Sequence, residues 1–89
     1  MKTIIKATAP TGYQLRSLRA FGMPITDHRN GSYSAKQEFD SEEEAIIYLT
    51  KRAEIYFETD EEIEDAIEII EKYGQLRLDA VTAYIEETI

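Results

Sequence analysis

Eighty-nine residues without cysteine or tryptophan and with a single histidine make one domain (1–89), which buries about 60–65% of its unfolded surface and has no disulfide framework, thiolate nucleophile or thiolate zinc site. A hydrophobic fraction of 43% excludes a wholly disordered chain. No apolar run approaches the roughly 20 residues of a transmembrane helix, and Lys2 and Lys6 bracket only Thr3, Ile4 and Ile5, so no signal peptide or membrane partner is expected and the expected location is cytoplasmic. The net charge of −8 is uneven: residues 1–39 hold six basic side chains against two acidic (+4) and residues 40–89 four against sixteen (−12), which predicts a dipolar surface that selects partners by charge.

Residues 2–8 alternate weakly around Ile4 and Ile5 and read as a strand ended by Pro10 and Gly12. Thr11 and Gln14 fit a capping box in which the Thr11 hydroxyl accepts from the amide of residue 14. Leu15, Leu18 and Phe21 follow at helical spacing, so a short helix is predicted over 12–21, with Gly22 as a left-handed cap and Pro24 barring continuation. Asn30-Gly31 is the strongest local signal. Both residues tolerate the positive φ of a two-residue type I′ hairpin turn, and strands over about 25–29 and 32–39 should flank it. In that register His28 opposes Tyr33, Thr26 opposes Ala35, and Tyr33, Ala35 and Phe39 share one face. Ile25 is left on the polar side, a conflict that a longer loop or a bulge would resolve.

Ser41 with Glu44 and Thr59 with Glu62 make two further capping boxes. The first opens a helix over about 42–57 with Ile46, Leu49, Ala53 and Tyr56 as its apolar stripe. The second opens a helix whose apolar face is Ile63, Ala66, Ile67 and Ile70, capped by Gly74. With only Glu58 and Thr59 between them, the two helices must pack as neighbours. In the tail, Leu76 and Leu78 alternate, as do Val81, Ala83 and Ile85, whereas Leu78, Val81, Ile85 and Ile89 also fit helical spacing. Strand is the preferred reading on β-propensity, paired with the first strand so that Glu86 and Glu87 lie near Lys2 or Lys6. The fold class is therefore α+β: a small antiparallel sheet of three to four strands with two packed helices on one face and a short extra helix, in the order β-α-β-β-α-α-β. Ile46, Leu49, Ile63, Ile67 and Ile70 are the expected core, over Ile4 or Ile5 and Phe39.

Machinery for catalysis is missing. No Walker A, G-x-G-x-x-G or G-x-S-x-G pattern occurs, and carboxylates on amphipathic helices sit in water rather than in a cleft. The chain is read as non-enzymatic, with no catalytic residue, no metal and no cofactor. His28 beside Asp27 is read as a polar strand residue stacked on Tyr33, not as a ligand. The acidic runs 42–44 and 60–62 open helices, where the macrodipole stabilises them without any ligand.

Two charged faces remain as binding candidates. Glu54, Glu58, Glu61, Glu64, Asp65 and Glu68 form an acidic docking face suited to a protein with a basic surface. Arg16, Arg19, His28, Arg29 and Lys36, with Tyr13 and Tyr33, form the alternative basic face of a small nucleic-acid-binding module. Six tyrosines fit an interface with another protein or with a second copy of the chain. In size, acidity and lack of cysteine the chain is similar in style to the small α+β proteins, anti-CRISPR proteins among them, with which phage and mobile elements inhibit host machinery. No stretch of residues carries that likeness, which implies an inhibitor-type binding protein.

Overall fold

The computed structural model describes residues 2–88. Five strands form one antiparallel sheet: β1 (Lys2–Ala9), β2 (Ile25–Asp27), β3 (Tyr33–Phe39), β4 (Gln75–Leu78) and β5 (Val81–Thr88), in the order β2-β3-β1-β5-β4. A 3₁₀ turn at Gly12–Gln14 leads into α1 (Leu15–Arg19), and α1 and α2 (Glu42–Tyr56) pack on the sheet, while α3 (Asp60–Tyr73) lies against α2 and β4. The result is a two-layer α+β slab with principal extents of 36 × 34 × 17 Å, its helices on one side and one sheet face bare.

One row of residues crosses all five strands in register: Ile25, Ala35, Ala7, Ala83 and Leu76. Its three central alanines are at most 2% exposed. Alanine is a poor strand former, so its use at three adjacent positions reflects packing. The trough it leaves lies under Leu18, Phe21 and Leu49, the fully buried large side chains that α1, the following loop and α2 add to the same cluster.

Side chains then lock the short elements. The carbonyls of Ser17, Leu18 and Arg19 accept locally, from the amides of Ala20, Phe21 and Gly22, and Tyr48 and Arg52, one turn apart on α2, take up the next two. The Tyr48 hydroxyl donates to the Phe21 carbonyl, and Arg52 donates from Nε (3.1 Å) and Nη2 (2.7 Å) to that of Ala20. Gly22 follows at φ +70°, and a Cβ there would lie 2.9 Å from Arg52 Cζ. On its other flank, buried Ser17 donates to Asp79 Oδ2 at 2.8 Å, and Gln14 Nε2 donates to the Ala80 carbonyl at 3.3 Å, so α1 also holds the β4–β5 turn.

Both long helices begin as expected: Ser41 accepts from the Glu44 amide and Thr59 from the Glu62 amide, each at 3.2 Å, and α3 ends at Gly74 with φ +64°. Elsewhere the structure corrects the sequence reading. The 12–21 helix is split, and the Thr11 carbonyl, not its hydroxyl, accepts from the Gln14 amide. The β2–β3 hairpin forms, but Asp27, not His28, pairs with Tyr33, and five residues make the loop. Its positive φ values fall on Arg29 and Gly31 rather than on Asn30 and Gly31. Asp27 Oδ1 accepts from the Arg29 amide (2.7 Å) and Asn30 Oδ1 from the Ser32 amide (3.0 Å), which stabilises the longer loop. The gain is register: Ile25 now opposes Ala35 and packs against the core.

The helix faces are also turned. Ala45, Leu49 and Ala53 are the buried line of α2, with Ile46 half-buried and Tyr56 41% exposed. On α3, Ala66 and Ile70 are buried but Ile63 and Ile67 only half, because α3 flanks the sheet rather than crossing its centre. Ile5 lies in the core and Phe39 at its rim, against Tyr48 at 5.3 Å between ring centroids. Ile4 is buried on the opposite face, between Glu38 and Glu86. The tail is strand, but two strands: Asp79, at φ +58°, and Ala80 make a tight turn, giving five strands where three to four are expected. β5 does pair with β1, setting Glu86 opposite Ile4 and Glu87 opposite Thr3. Ile89, which completes the helical alternative, lies outside the described residues.

Ala83→Leu should destabilise the fold by about 1–3 kcal/mol through overpacking, and Leu49→Ala by about 2–5 kcal/mol through a cavity. Chemical denaturation measures both, and a neutral Ala83→Leu would show that the alanine row leaves no tightly filled trough. Burial raises the Tyr48 phenol above its ordinary pKa of about 10, with Arg52 opposing. A raised pKa means that the contribution is complete below pH 10 and fades as pH rises through the folded value. Tyr48→Phe should cost about 0.5–1.5 kcal/mol at neutral pH and reduce the alkaline loss of melting temperature. Identical alkaline losses in both proteins would contradict this.

Candidate partner-binding surfaces

The acidic candidates all lie on the helical side and all are exposed: Glu54 on α2, Glu58 in the link, and Glu61, Glu64, Asp65 and Glu68 on α3. The last four sit at i, i+3, i+4 and i+7, one stripe of a helix. Lys2–Glu38, at 3.2 Å, is the one ion pair among the described residues, so the stripe is not neutralised from within. Lys72 does not bridge to Glu68; its ammonium stands 5.6 Å from the centroid of the Tyr73 ring. Exposed apolar side chains lie on the same two helices, among them Ile55 (71%), Tyr73 (64%) and Ile69 (43%).

The five basic candidates do not share one surface. Arg16 and Arg19 project from α1 in the helical layer, His28 and Arg29 belong to the β2–β3 loop, and Lys36 lies on the bare sheet face. His28 Nε2 is 2.9 Å from Ser34 Oγ, so its partner is a serine of β3 rather than the ring of Tyr33. What sequence reading missed is the group that strand order assembles on the bare face. Lys6 is the register partner of Lys36 on one side and of Tyr84, 49% exposed, on the other. The period-two alternation of Lys2, Lys6 and Thr8 signals a polar face, but only the β3-β1-β5 order brings the two lysines together.

A groove of about 510 Å³ runs between α3 and the β4 edge of the sheet. Phe57, Ala66 and Ile69 give its helical wall an apolar surface, and Glu62 and Asp65 give it charge. Gln75, Leu76 and Arg77 form the other wall. Among the described residues no group of three or more His, Asp or Glu side chains is placed to hold a metal ion, and no helix is long and apolar enough to cross a membrane.

Like charges directly opposite one another on neighbouring strands are destabilising. Lys36→Glu should therefore raise stability by about 0.2–1 kcal/mol at low salt, an effect that fades as ionic strength rises. A melting temperature unchanged at low salt would show that Lys6 and Lys36 do not feel each other.

Comparison with known proteins finds no matching family model, no matching curated protein and no matching solved structure.

Proposed function

We propose that this is a non-enzymatic, inhibitor-type binding domain that docks its acidic helical side on the basic surface of a partner protein. The observation that carries the reading is the α3 stripe of Glu61, Glu64, Asp65 and Glu68, exposed and without an ion pair among the described residues, on a helix that also exposes Ile69 and Tyr73. An apolar patch within a charged surround suits a protein interface, the charges steering encounter and the apolar area holding the complex. A surface of this sign would occupy a basic groove, including one built for nucleic acid.

A second reading rests on the bare sheet face. Lys6 and Lys36 are cross-strand neighbours with Tyr84 beside Lys6, a combination of cations and an aromatic ring that suits single-stranded nucleic acid. Glu38 and Glu86 on the same face weaken it, since both lie two register pairs away, opposite Ile4.

Two triple variants separate the readings. With the protein immobilised and proteins of the native host passed over it at two ionic strengths, Glu61→Lys/Glu64→Lys/Glu68→Lys should slow capture of the partner and flatten its salt dependence. Arg16→Glu/Arg19→Glu/Arg29→Glu should have the smaller effect. If neither variant alters capture, electrostatic docking is wrong. Retention on heparin at low salt, lost in Lys6→Glu/Lys36→Glu, would favour the sheet face instead.

A further inference from the structure

The β4 edge and the groove beside it carry an inference that rests on the partner-binding reading and gives the partner's segment a shape. β4 is an outer strand of the sheet. Leu78 and Val81 close the two-residue turn, and the Ile85 amide donates to the Gly74 carbonyl at 2.8 Å. Hydrogen-bonded pairs alternate along an antiparallel ladder. Leu76 and Leu78 therefore exchange bonds with β5, Gly74 contributes only its carbonyl because its amide donates to Ile70, and Gln75 and Arg77 turn their backbone N–H and C=O groups outward. Both of those residues line the groove. The Arg77 head group is held at the turn, its Nε donating to the Asp79 carbonyl at 2.9 Å.

We propose that this groove takes an extended segment of a partner protein, added to the sheet as a sixth strand beside β4 and carrying lysine or arginine toward α3. Outward N–H and C=O groups are matched by another extended backbone, and a helix facing the edge gives alternate side chains a wall to pack on. That wall is apolar at Phe57, Ala66 and Ile69 and acidic at Glu62 and Asp65. A lysine or arginine of the segment lays its methylenes on Ile69 and Ala66 and reaches a carboxylate with its head group. The same charge disfavours a second copy of this chain, which would bring its own acidic wall and a net charge of −8 to the contact.

The test pans a displayed library of random dodecapeptides against the full chain. Selected peptides should alternate β-branched or aromatic residues with lysine or arginine, and should shift backbone amide resonances within 62–77. Arg77→Pro removes one outward N–H at a position where an edge strand tolerates proline, and should weaken binding about tenfold or more. Asp65→Lys should weaken it and remove its salt dependence. Thermal melts establish that each variant is folded; if Arg77→Pro is not, Ile69→Lys, on an exposed position of the facing wall, must show the same loss. The proposal is overturned if no peptide is selected, if selected peptides bind as helices or shift resonances elsewhere, or if the chain dimerises through β4. Loss of cellular partner capture in the Glu61/Glu64/Glu68 variant with none in Arg77→Pro would also end it, while leaving the acidic-face reading standing.

Discussion

At the register row Ala35–Ala7–Ala83 the sheet offers almost no side-chain volume, and this sets how closely the helical layer can approach. Leu18, Phe21 and Leu49 occupy that space. Their source elements differ: a five-residue helix, an irregular segment and a fifteen-residue helix. None of them stands without tertiary support, and the five-residue helix and the irregular segment need it most, since short helices are marginal alone. The remaining architecture follows from holding the weak elements over the trough. Tyr48 and Arg52 fasten the end of α1 from one side, and Asp79 and the Ala80 carbonyl fasten its flank from the other. Loosening α1 therefore loosens a strand turn more than sixty residues away in sequence, since Ser17 and Asp79 are bonded at a separation of 62.

Layering carries part of the charge split of the chain across the slab, although Arg16 and Arg19 stay on the helical side and Glu38 and Glu86 lie on the bare face. The N-terminal half contributes β1 and β3, which carry Lys6 and Lys36 to the bare face. The C-terminal half contributes α2 and α3, which carry the acidic stripe to the other side.

Local chemistry was readable wherever a residue's own backbone sets the structure. Ser41, Thr59 and Gly74 mark helix ends in the sequence and do so in the fold. Gly22 reads as the left-handed cap of the helix; it does take positive φ, but two residues past Ala20, which caps α1 in right-handed conformation, and only the structure shows why its side is closed. The failures share one cause, competition from distant partners. Asn30-Gly31 satisfies a two-residue turn in isolation, yet burying Ile25 against Ala35 requires a five-residue loop. The Asp79-Ala80 turn was missed because its dipeptide is not glycine-based, although aspartate tolerates positive φ and the alternation changes phase across it. Helix faces were misjudged because periodicity finds an apolar stripe without saying how much of it the sheet covers. For the candidate surfaces, the acidic stripe was legible because one helix carries most of it. The Lys6–Lys36–Tyr84 group and the β4 groove were not, because strand order creates both.

Gly22 and Arg52 occupy one space between them. The guanidinium that satisfies the Ala20 carbonyl stands where a Cβ at position 22 would lie. Thirty positions apart in the chain, the two residues are coupled: a side chain at 22 would be strained at φ +70° and would push the arginine head group off the carbonyl that it satisfies. Together with small residues at 7, 35 and 83, that coupled pair is a signature by which diverged kin of this chain could be known when little else of the sequence still aligns.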